Sequence, residues 1–173
     1  MTEAPILAFL RKAGLIGAGE TPPMVPLTGG VSSDIWKIEA TSGPVCVKRA
    51  LAQLKTKKVW HAPVERNAFE ADWIRTASQI APSAVPQLLA DDREAGMFAM
   101  AYFDPAKYPV WKEQLRDGIA DTNVATKVGA TLGRIHAATA GDSDIARRFA
   151  TDDIFLPIRI EPYLLRTAEG HPD

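Results

Sequence analysis

Cysteine, histidine and long uninterrupted apolar runs are all scarce in this sequence. The single cysteine, Cys46, excludes an internal disulfide. The three histidines, His61, His136 and His171, are too far apart to form a metal-binding motif. No segment reaches the roughly 18 apolar residues of a transmembrane helix, and the N-terminus lacks a basic region followed by an apolar core. We therefore expect a cytoplasmic protein without a structural metal site or a membrane partner.

Clustered charge is also scarce. The formal net charge is −1 and only one short basic run occurs, at Lys55, Lys57 and Lys58, which we interpret as a solvated loop. No basic stripe indicates a nucleic-acid partner. Apolar material is abundant, because 46% of the 173 residues are hydrophobic, so we expect a folded protein. This length suits one domain, or one small lobe with the beginning of a second.

Hydrophobic periodicity divides the chain into a mixed first part and a helical second part. We predict a helix at 5–16, an antiparallel meander of strands at 24–27, 34–40 and 45–49, a helix at 64–80, and strands at 87–90 and 97–103. On the helix at 64–80 we place Phe69, Trp73, Ala77 and Ile80 on the apolar stripe. Residues 104–109 form a proline-containing linker, and helices are predicted at 121–140, 144–150 and 161–169. The expected fold class is α+β, with domains at 1–103 and 110–173.

A glycine-rich turn separates the first two predicted strands, with the sequence Thr28-Gly29-Gly30-Val31-Ser32-Ser33. Glycine lets backbone N–H groups approach a phosphate closely, and serine adds hydroxyl donors. The pattern therefore fits a nucleotide phosphate site. It also fits an ordinary tight hairpin, so the turn alone does not decide between them.

A lysine in the third predicted strand favours the phosphate interpretation. In Val45-Cys46-Val47-Lys48 the alternation of a strand puts Cys46 and Lys48 on one face. An ammonium group in an apolar strand needs a carboxylate or phosphate partner, unless Lys48 lies at a sheet edge and reaches water. On the following helix Glu70 is the best-placed carboxylate, Glu65 in the first turn is a second possibility, and Asp72 points further away.

Together with later segments, these residues resemble the N-terminal lobe of the aminoglycoside phosphotransferase and choline kinase-like superfamily. Besides the glycine-rich turn, Lys48 and Glu70, the resemblance includes Ala84-Val85-Pro86-Gln87-Leu88-Leu89 and Met97-Phe98-Ala99-Met100-Ala101-Tyr102-Phe103. Leu132-Gly133-Arg134-Ile135-His136-Ala137-Ala138-Thr139 is similar to the first long helix of that family's helical lobe. The order and spacing of these segments carry the resemblance, which covers nearly the whole chain.

The resemblance implies a protein-kinase-like N-lobe, with a five-stranded antiparallel sheet and a packed helix, followed by the first helices of a truncated helical lobe. It implies ATP as the ligand, with phosphates under Gly29, Gly30, Ser32 and Ser33, and Lys48 on the α- and β-phosphates, oriented by Glu70. Cys46 would line the apolar ceiling over adenine. The backbone of Met100, Ala101, Tyr102 and Phe103 would face the base. His136 is expected to have a packing or helix-capping role.

The resemblance also implies residues that this chain lacks. In that superfamily the catalytic aspartate lies in a His-Gly-Asp loop followed by an asparagine, and a later aspartate binds Mg²⁺. The sequence His171-Pro172-Asp173 is not that loop, because no asparagine or further aspartate follows it. We therefore expect no catalytic residue and no metal ligand in this chain, with the Mg²⁺ ligands in a missing lobe. The chain would be a truncated gene product, an engineered fragment or a natural half-protein.

Three hypotheses about function follow. The first is the ATP-binding portion of a small-molecule kinase that transfers the γ-phosphate to a hydroxyl of a metabolite or antibiotic, and that is inactive without the missing lobe. The second is a non-catalytic, pseudokinase-like module that binds a nucleotide or a protein. The third is a scaffold that shares only the mixed lobe. The predicted helix at 121–140 would leave an apolar face uncovered, so homodimerisation through that face is also expected.

Overall fold

The computed structural model describes residues 3–27, 30–57 and 59–171. They form an α+β structure with one five-stranded antiparallel sheet and several helices. The strands are β1 (Met24–Leu27), β2 (Ser33–Ala40), β3 (Gly43–Ala50), β4 (Leu88–Asp92) and β5 (Met97–Ala101), in the spatial order β1-β2-β3-β5-β4. The predicted strands and their antiparallel arrangement are confirmed.

The helices of the first part are α1 (Ala4–Lys12) and α2 (Arg66–Ile80), with a single 3₁₀ turn at Pro82–Ala84. Among the described residues after β5, the regular elements are all helical. They are α3 (Trp111–Arg116), α4 (Thr122–Thr139), α5 (Ser143–Arg148), α6 (Asp152–Phe155), the π-helical stretch Leu156–Leu165, and α7 (Arg166–Gly170). We call Leu156–Leu165 the π segment. Asp121 caps α4 by accepting a hydrogen bond from the Asn123 N–H at 2.8 Å.

The two faces of the sheet bury different helices. Val45 and Val47 of β3 lie on one face, in a cluster with Ile6, Phe9 and Leu10 of α1. The opposite face carries Lys48, and we call it the Lys48 face. There Phe98, which lies directly across from Lys48 in the sheet, packs against α2 and α4. The predicted alternation of β3 is therefore confirmed, and the lysine is in an inner strand of the sheet rather than at its edge.

The apolar stripe of α2 agrees with the prediction at Ala77 and Ile80 and differs from it at Trp73. Trp73 is 44% exposed, whereas Ala71, Ile74 and Ala77 are buried against Phe98. Asn67 is also buried on this face, and its amide donates to the carbonyl of Gly96 at 2.8 Å. Small and hydrogen-bonded side chains let the helix approach the sheet closely. Compared with the predicted orientation, α2 is rotated about its axis, so that Trp73 faces away from the sheet.

Two further differences concern the second part of the chain. Helix α3 was not predicted from the sequence, and the π segment overlaps only in part with the helix predicted at 161–169. His136 is exposed in the last turn of α4, where its carbonyl accepts the N–H of Ala140, so the packing alternative is wrong and the helix-capping alternative stays a prediction. Val128 and Leu132 of α4 are 38% and 44% exposed, while Ile135 joins the core under the sheet. Within the part of the chain that the structure describes, no helix is both long and apolar enough to cross a membrane.

Candidate functional site

A cleft of about 240 Å³ lies beside Lys48 and Glu70, between the glycine-rich turn and the π segment. We call it the Lys48 cleft. Its lining residues come from five regions of the chain: Val31, Ser32 and Ser33 from the turn, Lys48 from β3, Leu54 and Trp60 from the loop after β3, Arg66, Asn67 and Glu70 from α2, and Ile158, Arg159 and Tyr163 from the π segment. The cleft therefore brings together residues that are far apart in the sequence, such as Val31 and Tyr163.

Lys48 and Glu70 form the central ion pair of the cleft. The Lys48 ammonium donates to both carboxylate oxygens of Glu70, at 2.6 Å from Oε1 and 2.5 Å from Oε2. The Lys48 side chain is 19% exposed and that of Glu70 is 41% exposed, so the pair is open to the cleft on its carboxylate side. The predicted pairing of Lys48 with Glu70 is confirmed.

The two competing carboxylates lie elsewhere. Asp72 pairs with Arg75 at 2.7 Å and with Arg93 at 2.5 Å, on the outer side of α2. Glu65 is exposed and immediately precedes α2. Glu70 lies one helical turn after Arg66, and from there its side chain reaches the ammonium group of Lys48 on the face of the sheet. This geometry selects Glu70 over Glu65 as the partner of Lys48.

The glycine-rich turn is held by its carbonyl groups. The carbonyl of Val31 accepts the N–H of Lys55 at 2.8 Å, and the carbonyl of Ser32 accepts the N–H of Leu51 at 3.1 Å. Among the described residues, the backbone N–H groups of Gly30, Val31 and Ser32 donate no hydrogen bond. The turn can therefore bind an anion, because its carbonyls are already hydrogen-bonded and its N–H groups are free to donate. Ser33 begins β2 and is buried, and Gly29 lies outside the described residues.

Arg66 anchors the turn to the start of α2. Its guanidinium donates to the carbonyls of Ala62 at 3.0 Å, Pro63 at 2.5 Å, Leu51 at 2.8 Å and Ser32. Burial lowers the pKa of Arg66, although an arginine in a protein stays charged. Sequence reasoning missed this residue. A cation in the first turn of a helix is unfavourable with the helix dipole, and that mismatch was the available signal.

A second anchor lies on the other face of the sheet. Asp34 is 3% exposed and pairs with Arg49 at 2.9 Å and with Lys55 at 2.7 Å. Burial alone would raise the pKa of Asp34, but its hydrogen bonds to Lys55 and Arg49 hold that pKa below its ordinary value. Lys55 thus fixes the loop after β3 against the turn. Lys55 and Lys57 are exposed, as expected for a solvated loop, but the ion pair of Lys55 was not predicted; Lys58 lies outside the described residues.

No protein-family model and no curated protein matches the chain.

Cys46 lies on the Lys48 face but is only 5% exposed. It pairs in register with Met100 of β5, so the two side chains are neighbours on the sheet. Burial raises the pKa of the Cys46 thiol to about 11, with smaller effects from the Lys48 charge, which lowers it, and from the Glu70 charge, which raises it. Cys46 therefore offers a small apolar surface and not a reactive thiolate.

The predicted adenine-facing segment divides into two parts. Met100 and Ala101 belong to β5, and the Ala101 N–H donates to the carbonyl of Gln87 at 2.9 Å. Tyr102 and Phe103 follow the strand, and no backbone hydrogen bond among the described residues involves either of them. The backbone groups available to a base are therefore those of Tyr102 and Phe103. Lys37 lies 4.7 Å from the centre of the Tyr102 ring, and the Phe103 ring stacks on Tyr108 at 4.7 Å.

The burial of Cys46 predicts slow reaction with thiol reagents. At pH 8 a thiol with a pKa of about 11 has a thiolate fraction roughly two orders of magnitude below that of a free cysteine with a pKa of about 8.5. We expect native protein to react with a disulfide reagent at least about 100-fold more slowly than protein in 8 M urea, followed by absorbance. Comparable rates in both conditions would show that Cys46 is exposed.

Proposed function

We propose that this chain is the nucleotide-binding part of an ATP-dependent small-molecule phosphotransferase, with a kinase-like N-terminal lobe. The observation that carries the proposal is the Lys48–Glu70 ion pair beside the glycine-rich turn. A carboxylate holds the lysine in one orientation, and the lysine then offers a fixed positive charge to the α- and β-phosphates of ATP. The acceptor would be a hydroxyl of a metabolite or antibiotic.

The free N–H groups of the turn support the same proposal. Gly30, Val31 and Ser32 would donate to phosphate oxygens on the side opposite Lys48. An anion here would receive both backbone hydrogen bonds and an ammonium contact, which is the combination that phosphate sites use. ATP would supply the phosphoryl group that is transferred.

The Lys48 face also has room for the base. Val25 is 46% exposed, and Leu27 and Met100 are half-buried on the same face as Cys46. These apolar side chains would contact the planar faces of adenine, while the backbone of Tyr102 and Phe103 would bind its polar edge. Among the described residues, no group of three or more His, Cys, Asp or Glu side chains is placed to hold a metal ion, so the proposal assigns no Mg²⁺ ligand.

A thermal-shift titration with Mg·ATP tests the proposal. A ligand that binds only the native state stabilises it by RT ln(1 + [L]/Kd), or about 2.7 kcal/mol at 100 times Kd. For a protein of this size we expect the melting temperature to rise by roughly 5–10 °C and to saturate. Adenosine without phosphates is the control and should give a smaller shift. A melting temperature that does not respond to Mg·ATP would overturn the proposal.

A second candidate is nucleotide binding without phosphoryl transfer, and the lining of the Lys48 cleft favours it. Glu70 is the one carboxylate among the described residues that line the cleft, and Lys48 occupies both of its oxygens. A general base needs a free carboxylate or imidazole within hydrogen-bonding distance of the acceptor hydroxyl. This second candidate predicts saturable binding of Mg·ATP without phosphate release, and release above the rate measured for Lys48→Ala would contradict it.

A further inference from the structure

The Lys48 cleft contains positive charge in addition to that of Lys48, which Glu70 neutralises. Lys48, Arg66 and Arg159 are its three cationic lining residues, and Glu70 is its one carboxylate. In the described part of the chain neither arginine forms an ion pair, whereas Lys48 is neutralised by Glu70. The cleft therefore has a surplus of two guanidinium charges, which favours an anionic ligand.

The two arginines differ in how their donors are used. Arg66 donates to four backbone carbonyls, so its charge is fixed behind the turn and its donors are occupied. Arg159 is exposed, and its one hydrogen bond among the described residues is from Nη1 to the carbonyl of its neighbour Ile158, at 3.0 Å. A guanidinium has five N–H donors in a planar fork that matches phosphate oxygens. Arg159 thus keeps most of its donors available for a ligand.

The position of Arg159 is set by the π segment. Trp60 donates its indole N–H to the carbonyl of Pro157 at 3.0 Å, which ties this segment to the loop after β3. Two residues later Arg159 lines the cleft, followed by Tyr163 on the same segment. π-helical turns are rare, and those within α-helices are frequently found at functional sites.

The volume of the cleft limits what it can hold. At about 240 Å³ it is smaller than the roughly 300–1,000 Å³ of pockets that enclose a whole drug-sized ligand. Its lining combines three cations, hydroxyl groups and the free N–H groups of the turn with a few apolar side chains. The charged part of a nucleotide fits this environment, and the base would lie outside it on the apolar part of the Lys48 face.

We propose that Arg159 is a second phosphate-binding residue of this site, acting from the π segment on the polyphosphate chain that Lys48 contacts from the sheet. This inference rests on the proposed function. Its ligand chemistry is a chain of two or more phosphates, which either a nucleoside triphosphate or free inorganic polyphosphate can supply. Arg66 adds a fixed charge behind the turn, and Arg159 adds the hydrogen bonds.

Arg159→Gln tests the proposal, with Arg148→Gln as the control. Both arginines are exposed, and Arg148 lies on α5 away from the cleft, so both variants lose one charge and are expected to melt at the wild-type temperature without ligand. We expect Arg159→Gln to weaken the binding of Mg·ATP and of tripolyphosphate by about tenfold, as the loss of a charge-assisted contact does. Adenosine binding should not change, and Arg148→Gln should bind every probe as the wild type does.

The outcomes separate this inference from the proposed function. Equal ATP and tripolyphosphate affinities for Arg159→Gln and Arg148→Gln, with binding lost in Lys48→Ala, would overturn the role of Arg159 and leave the nucleotide site intact. Wild-type protein that binds tripolyphosphate as tightly as ATP, with both weakened by Arg159→Gln, would support Arg159 and overturn the nucleotide assignment. Wild-type protein that binds neither probe would overturn both.

Discussion

Replacing Phe98 by alanine is expected to lower the free energy of unfolding by about 3–5 kcal/mol. Phe98 is 1% exposed and packs against Ala71, Ile74 and Ile135, so it joins the sheet to α2 and to α4. Removing its ring leaves a cavity at the point where three elements meet. Urea unfolding followed by tryptophan fluorescence measures the loss.

Phe103→Ala is the matched control for that experiment. Phe103 is 44% exposed and, in the described part of the chain, stacks on Tyr108 alone, so its loss should cost less than about 1.5 kcal/mol. Phe98 lies directly across from Lys48 in the sheet. The Phe98→Ala substitution should therefore also weaken the binding of any ligand that contacts the Lys48–Glu70 pair. Equal losses in the two variants would contradict the core position of Phe98.

Lys48→Ala is expected to weaken Mg·ATP binding by about 1–3 kcal/mol, or roughly 5- to 150-fold, because it removes a charge-assisted contact with the phosphates. The fold should survive. Glu70 would lose its partner, but its side chain is 41% exposed and water can solvate the carboxylate. Nucleotide titrations followed by differential scanning fluorimetry measure both effects.

Lys12→Ala is the control for the lysine substitution. Lys12 lies on α1, on the opposite face of the sheet, where it pairs with Asp92 at 2.9 Å and is 76% exposed. Its removal takes away one positive charge without touching the Lys48 cleft, so nucleotide affinity should not change. Loss of the native melting transition in Lys48→Ala, with no change in Lys12→Ala, would identify Lys48 as a structural residue instead.

The sheet could be predicted from the sequence because its strands alternate cleanly. Val45 and Val47 alternate with Cys46 and Lys48, and the structure places the two pairs on opposite faces. Glycines and prolines mark the ends of the strands, so strand bounds differ from those predicted by only one or two residues at most ends. The Lys48–Glu70 pair could also be predicted, because a lysine in an inner strand needs a carboxylate and α2 offers few.

The rest of the cleft depends on long-range packing that local patterns do not contain. Trp73 was placed in the core by periodicity, but small residues gave a closer contact between α2 and the sheet. The contact from Trp60 to Pro157 joins residues 97 positions apart and brings Arg159 to the site. Trp60 and Arg159 belong to no sequence motif. Pro162 inside the π segment also obscures the helical pattern of that segment.

Isothermal titration calorimetry of Mg·ATP into the wild type, Lys48→Ala and Lys12→Ala tests the central claim most directly. The account predicts saturable binding at one site in the wild type, at least about fivefold weaker binding in Lys48→Ala, and wild-type affinity in Lys12→Ala. Absence of saturable heat in the wild type, or equal affinities in all three proteins, would contradict a nucleotide site built on Lys48 and Glu70.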